Sequence, residues 1–91
     1  MARAITHNAE QHQFEWVEDG TLCVLVYTLE ADVMTISYTG VPEVVGARGI
    51  AAELTQFALG TARAKGWKVR PVCSYAAAYV RRHSEYQELV V

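Results

Sequence analysis

The residues with the clearest potential for chemistry form the turn Gly46-Ala47-Arg48-Gly49-Ile50-Ala51, here called turn 46–51. Its small side chains let the backbone pass close to a ligand. The first amides of a helix lack intrahelical partners, and the helix dipole favours negative charge there. The turn therefore predicts a phosphate or pyrophosphate site. The simpler interpretation is a tight helix entry, since neither a Walker loop nor the full dinucleotide fingerprint is present.

Cys73 is the second residue that could do chemistry, because it ends an apolar segment just before a predicted helix. A helix N-terminus lowers the pKa of a thiol, which could then act as a nucleophile or carry an acyl group. The alternative is a small buried hydrophobe, as most free cysteines are. Cys23 lies within an apolar segment and is predicted to be a core residue. The two cysteines lack metal-ligand spacing, so no metal site is predicted.

Two further candidates lie on a short helix predicted over Tyr75–Arg82, with Ser74 as its N-cap. Tyr79 could donate a proton to a leaving thiolate, although tyrosines more often pack with the hydroxyl at the surface. A basic cluster at residues 81–83 could bind a phosphate, with Arg82 as the candidate. The alternative for this cluster is a solvated helix end.

Three antiparallel strands are predicted to precede turn 46–51. Gln13–Val17 alternates apolar and polar residues, and an Asp-Gly pair favours a tight turn after it. Leu22–Leu29 is apolar on both faces, as expected for a strand covered on both sides. Val33–Thr39 follows a link that is too short for a crossover, so the strands form a meander. The preceding segment is polar, and the sequence indicates no partner for His7 or His12.

A helix and a fourth strand are predicted to complete a βαβ unit. From Ile50 onward apolar residues recur at three- and four-residue steps, and Gly66 is the expected C′ residue. The next strand, Trp67–Cys73, should lie parallel to the third strand through a right-handed crossover. Because Pro71 cannot donate a ladder hydrogen bond, the two parallel strands are predicted to separate near their C-terminal ends. The resulting gap would lie beside turn 46–51.

Composition predicts a single small domain over residues 1–91. Of the 91 residues, 52% are hydrophobic and 20% are charged, which provides for one core. The net charge of −2 gives no overall basic field for nucleic acid, although positive charge is concentrated in the C-terminal half. No apolar run reaches the roughly 18–20 residues of a membrane helix, and the polar N-terminus predicts no signal peptide. A cytoplasmic protein with free thiols is expected.

Several motifs of the C-terminal half occur together in a known family. They are Val41-Pro42, turn 46–51, the helix Ala52–Ala64, the segment Val69–Tyr75, Tyr79, Arg81-Arg82-His83 and Glu85-Tyr86. Together they resemble the minimal, single-domain branch of the GCN5-related N-acetyltransferase (GNAT) superfamily. The resemblance implies a GNAT-like α/β fold, in which a three-strand antiparallel meander is followed by a βαβ unit. That unit has a splayed parallel strand pair and leads to a short C-terminal helix.

The resemblance also implies a site for acetyl-CoA as acyl donor. The pyrophosphate would lie on the backbone amides of turn 46–51, with Gly46 opening the turn and amides from Ala47, Arg48, Gly49, Ile50 and Ala51. The pantetheine arm would lie in the split between the parallel strands, lined by Thr39, Gly40 and Val41. Cys73 would face the thioester. Arg82 is predicted to be a further contact to phosphate.

Four positions depart from the family pattern. Ser74 and Ser84, which follow Cys73 and His83 where relatives often have proline, affect the local backbone, whereas Gly46 and Tyr38 bear on chemistry. The superfamily turn usually begins with Gln or Arg, so Gly46 leaves one anchoring side chain missing. Small relatives typically carry His-Thr before Val-Pro, where this chain has Tyr38-Thr39. A tyrosine with a pKa of about 10 does not simply replace a histidine base at neutral pH.

The predicted function is an acetyl-CoA-dependent N-acetyltransferase acting on an unknown amine, which could belong to a protein. Transfer would be direct, through positioning, or would pass through an acetylated Cys73. The alternatives are a CoA-binding regulatory module without robust catalysis and a small interaction domain without a ligand. No nucleic acid, membrane or metal partner is predicted. An exposed edge strand at Gln13–Val17 could support a homodimer.

Overall fold

Five strands form one sheet in the order β1-β2-β3-β4-β5 in the computed structural model, which describes residues 3–91. The elements are β1 (Thr6–Asn8), β2 (Gln13–Glu18), β3 (Thr21–Glu30), β4 (Val33–Gly40), α1 (Ile50–Lys65), β5 (Lys68–Pro71) and α2 (Ser74–Arg82). Short 3₁₀ helices cover Glu43–Val45 and Ser84–Leu89. Strands β1 to β4 pair antiparallel, and β5 lies parallel to β4. The predicted meander and βαβ unit are confirmed.

The strand β1 was not predicted, and it corrects two expectations. It pairs with the first half of β2, so Gln13–Val17 is not the fully exposed edge strand on which the homodimer rested. The ring of His7 stacks on Phe14 with centroids 4.3 Å apart, and its Nε2 lies 2.6 Å from the Tyr27 hydroxyl. The expectation that His7 has no partner was therefore wrong. This strand was not predicted because its sequence is polar and lacks an apolar pattern. The side-chain contact that attaches it to the sheet is the stacking of His7 on Phe14.

The strand β3 is covered on one face only, contrary to expectation. Cys23, Leu25 and Tyr27 are at most 2% exposed and belong to the core beneath α1, whereas Leu22 on the opposite face is 52% exposed. Both α-helices pack against the same face of the sheet and share one core with it. No helix among the described residues covers the second face of the sheet. We call this second surface the open face. Its exposed apolar side chains include Val17 and Tyr38.

The parallel strands separate as Pro71 predicts. Pairing between β4 and β5 ends at Ile36 and Pro71, whereas β4 continues along β3 to Gly40. The amides of Val72 and Cys73 both donate to the Ile36 carbonyl, at 3.1 and 2.9 Å, so the chain turns away from β4. The fourth predicted strand is accordingly shorter than Trp67–Cys73.

Both ends of α1 are made by glycines in the left-handed conformation. Gly66 has φ 74° and its amide donates to the carbonyls of Ala62 and Arg63, as the predicted C′ residue should. Gly49 precedes the helix with φ 80°. None of the helices within residues 3–91 is long and apolar enough to cross a membrane.

Candidate functional site

A groove lies where β4 and β5 separate, between turn 46–51 and the start of α2. We call it the turn groove; its volume is about 340 Å³. Its lining consists of Val41, Gly46, Ala47, Gly49, Ile50, Ala51, Ala52 and Tyr75. The fold therefore brings together every residue of turn 46–51 except Arg48, and adds Val41 from the end of β4. Tyr75 is a lining residue that was not predicted, and its only sequence signal is an aromatic side chain just after Cys73.

The backbone of turn 46–51 has two residues in the left-handed conformation and leads into a helix without a side-chain cap from residues 3–91. Ala47 and Gly49 have φ of 60° and 80°, which only glycine adopts without strain. No side chain among the described residues caps the N-terminus of α1, where Gly49 is the N-cap. The first amides of α1 thus stay available to a ligand in the groove, and the helix dipole favours negative charge there.

The side chain of Arg48 points away from the turn groove. Its Nη1 atom lies 3.1 Å from Glu18 Oε2 and 2.7 Å from Asp19 Oδ2. These contacts hold the guanidinium against the end of β2. The role predicted for Arg48 concerns its backbone amide, which belongs to the turn between Ala47 and Gly49.

Cys73 is the N-cap of α2, which corrects the predicted cap at Ser74. Its carbonyl accepts the first helical hydrogen bond, from the Ala77 amide at 2.9 Å. Ser74 becomes the first helical residue because the chain turns at Cys73, immediately after its amide bonds back to Ile36. The thiol thereby lies at the positive end of a helix dipole.

The thiol of Cys73 is partly buried and faces β4 across the split. Its Sγ lies 3.5 Å from Thr39 Oγ1. Burial alone raises the pKa of Cys73, but hydrogen bonds from the Ala76 amide, the Thr39 hydroxyl and the Tyr75 amide outweigh burial and lower it. The surroundings of Cys73 therefore stabilise its thiolate more than water stabilises that of an ordinary cysteine, and reactive cysteines have this property.

A second groove lies on the open face of the sheet, and we call it the open-face groove. Its volume is about 320 Å³, and it is lined by Leu22, Val24, Tyr38, Thr39, Gly40, Val41 and Pro42. Val41 lines both grooves, so they meet where β4 and β5 separate. The Tyr38 ring lies over Gly40, where an added Cβ would come within 2.6 Å of the tyrosine hydroxyl. Thr39, Gly40 and Val41, which were predicted to line the split between the parallel strands, line this groove. A groove on this face was not predicted, because β3 was expected to be covered on both faces.

Tyr79 and Arg82 line neither groove. Tyr79 is 6% exposed and stacks on His83 with centroids 3.9 Å apart. Burial, assisted by neighbouring tyrosines and Glu85, raises the pKa of Tyr79 and keeps it protonated. Arg82 is exposed at the far end of α2 from Cys73. Both roles stay predictions.

Among residues 3–91, no group of three or more His, Cys, Asp or Glu side chains is placed to hold a metal ion. The turn groove instead offers backbone amides at a helix N-terminus, which are donors suited to an anionic group.

Comparisons with known proteins identify the family. A family model described as GCN5-related N-acetyl-transferase matches residues 13–89. A search of curated proteins found no match. Among solved structures, the NMR solution structure of a GCN5-like protein from Staphylococcus aureus, proposed to be an N-acetyltransferase, matches with a TM-score of 0.76. It is 22% identical, and the match covers 96% of this chain and 86% of that chain, which shows a shared fold. Since the family model spans most of the sequence, the chain belongs to the GCN5-related N-acetyltransferase family.

Proposed function

We propose that the protein is an acetyl-CoA-dependent N-acetyltransferase. The observation that carries this proposal is that the two grooves share Val41 as a lining residue. A group-transfer enzyme needs two substrates whose reacting atoms meet at one point. Family membership supports acetyl transfer as the reaction class.

The donor is assigned to the turn groove. The pyrophosphate would bind the amides of residues 47–51, where the dipole of α1 stabilises negative charge. The pantetheine arm would follow Thr39, Gly40 and Val41, because the pairing of β4 with β5 ends at Ile36, before these residues. The thioester would then lie near the Cys73 thiol.

The acceptor is assigned to the part of the open-face groove formed by Leu22, Val24, Tyr38 and Pro42, beside the Thr39–Val41 segment that the pantetheine arm would follow. Leu22, Val24, Tyr38 and Pro42 give it an apolar and aromatic lining, and none of its described lining residues is a carboxylate. A polyamine carries further ammonium groups that would need acidic partners once desolvated. We therefore favour an amine attached to an apolar or aromatic group.

Two routes of acetyl transfer fit this arrangement. In direct transfer the neutral amine attacks the thioester carbonyl, CoA leaves as a thiolate, and the amine proton passes to solvent or to a base. In the covalent route the Cys73 thiolate attacks first and expels CoA. The neutral amine then attacks the Cys73 thioester, its proton passes to solvent or to a base, and the amide forms as the Cys73 thiolate is regenerated. The lowered pKa of Cys73 supports the covalent route.

A CoA-binding regulatory module is the second candidate. It is favoured by Tyr38, which occupies the position where small relatives carry histidine and is 56% exposed on the open face. A phenol hydroxyl is a poorer general base at neutral pH than an imidazole.

An acetylation assay distinguishes these functions. The protein is incubated with acetyl-CoA and either 2-phenylethylamine or spermidine, and acetylated amine is measured by mass spectrometry. We expect acetylation of 2-phenylethylamine in preference to spermidine. Thermal stabilisation by acetyl-CoA without any acetylated product, across a broad amine panel, would establish the regulatory module instead.

A further inference from the structure

Five charged side chains form one network beside turn 46–51, which we call the turn network. It contains Arg3, Glu18, Asp19, Arg48 and Glu53. Three carboxylates and two guanidinium groups give it a formal charge of −3 + 2 = −1. A site proposed to bind a pyrophosphate thus lies next to excess negative charge. Such a site needs each carboxylate to be neutralised by a well-placed cation.

Arg3 makes the largest number of connections in this network. Its amide donates to Glu53 Oε1 at 3.0 Å, and its Nη1 atom pairs with Glu53 Oε2. Its Nε atom lies 3.5 Å from Glu18 Oε1. Its Nη2 atom donates to the Arg48 carbonyl at 2.9 Å. One side chain therefore connects the end of β2, turn 46–51 and the first turn of α1.

The hydrogen bond to the Arg48 carbonyl acts on the peptide group between residues 48 and 49. In a trans peptide the C=O and N–H groups point in opposite directions. Holding the carbonyl towards Arg3 therefore directs the Gly49 amide away from Arg3. Gly49 lines the turn groove and Arg3 does not. The flanking residues Ala47 and Gly49 both have positive φ, a conformation that its surroundings must hold.

We propose that Arg3 is a positioning residue for donor binding. It fixes the Arg48–Gly49 peptide in the anion-binding orientation and neutralises Glu18 and Glu53 beside the site. This inference rests on the proposed function, because the phosphates of acetyl-CoA are the groups that the turn would bind. Arg3 itself touches no ligand in this account.

The test compares a donor that carries phosphates with one that lacks them. Acetyl-CoA and S-acetylpantetheine are titrated by calorimetry into the wild-type protein and into Arg3→Ala, Arg3→Lys and Arg70→Ala variants. Arg70 is an exposed arginine of β5 that lies outside the turn network and lines neither groove, so it is the matched control. The ratio of the two affinities separates an effect on phosphate binding from a general loss of structure.

We expect Arg3→Ala to weaken acetyl-CoA binding roughly tenfold, because the loss of one charge-assisted hydrogen bond lowers an affinity by about that much. Binding of S-acetylpantetheine should be unchanged. Arg3→Lys should be intermediate because it keeps the charge but cannot reach both carboxylates and the Arg48 carbonyl together. Raising the salt concentration should reduce the part of the difference that is due to charge.

Equal weakening of both donors in Arg3→Ala, or no weakening of either, would overturn the inference. If Arg3→Ala does not fold, the Arg3→Lys ratio decides, and a wild-type ratio there overturns the inference as well. A wild-type protein that binds neither donor would instead contradict the proposed function and, with it, this inference. The two failures are therefore distinguishable.

Discussion

Burial raises the pKa of the Cys73 thiol and hydrogen bonding lowers it, and the effect of the hydrogen bonds is the larger. The lowered pKa makes the thiolate, which is the nucleophile, more populated at a given pH than in an ordinary cysteine. We expect alkylation of Cys73 by iodoacetamide to show a lower midpoint pH than alkylation of an unstructured cysteine peptide. Thr39→Val removes one donor, raises the pKa and should slow alkylation at pH 7 about threefold to tenfold.

Cys23 is the internal control for this measurement. It is fully buried, and burial followed by the nearby charge of Glu18 raises its pKa, so it should stay unmodified in the folded protein. Unchanged alkylation of Cys73 in Thr39→Val would show that the Thr39 hydroxyl does not stabilise the thiolate. Intact mass after incubation with acetyl-CoA tests the covalent route separately. No acetyl adduct, with turnover retained in Cys73→Ala, would eliminate it.

Gly49 and Gly60 provide a matched pair of glycine variants in and next to α1. Gly49 has φ 80°, so Gly49→Ala should lower the free energy of unfolding by about 1 kcal/mol and weaken acetyl-CoA binding. Gly60 lies within the helix with open space at its Cβ position. Gly60→Ala should raise the free energy of unfolding by up to about 1 kcal/mol and leave binding unchanged. Chemical denaturation and calorimetry check both, and equal effects of the two variants would contradict the role of the turn.

At the scale of the elements, the attachment of β1 depends on the protonation of His7. Burial, followed by the charges of Lys65 and His12, lowers the pKa of His7. As the pH falls below about 6.5, the unfolded chain binds a proton that the folded protein resists, so stability falls. We expect this loss to be smaller in His7→Gln, measured by urea denaturation between pH 7 and pH 5. Equal pH dependence in both proteins would refute this assignment to His7.

The sequence predicts those elements whose signals are local. Pro71 reveals the separation of β4 from β5 because its missing amide hydrogen is a property of that residue alone. Gly66 likewise marks the end of α1. The strand β1 and the N-cap at Cys73 could not be predicted, since they depend on long-range contacts. His7 must meet Phe14 and Tyr27, and Cys73 must meet the Ile36 carbonyl.

At the scale of the whole molecule, the sheet separates a helix-covered face from an open face, and the proposed acceptor groove lies on the open face. This arrangement was not evident from Leu22–Leu29, because alternate apolar residues look the same whether a helix covers them or not. The turn 46–51 was predictable, since small residues before an amphipathic helix are a local pattern. The connection of Arg3 to that turn was not, because the two are separated by more than forty residues.

Leu22 and Val17 allow the open-face groove to be tested with paired variants. They pair across β2 and β3, and both are more than half exposed, but only Leu22 lines the groove. Leu22→Ser should raise the KM for an apolar amine several-fold, and each variant should change stability by about 0.5 kcal/mol or less. Val17→Ser should keep the wild-type KM. Steady-state kinetics measures the KM for the amine in both variants. An unchanged KM in Leu22→Ser would exclude the open-face groove as the acceptor site.

The central claim is that acetyl-CoA binds in the turn groove. The most direct test is a titration of isotope-labelled protein with acetyl-CoA, followed by the backbone amide signals in two-dimensional NMR spectra. We expect the largest changes in chemical shift at the amides of residues 46–52, with further changes at residues 39–41 and 73–76. Saturable shifts confined to other surfaces, or no shifts at all, would contradict it.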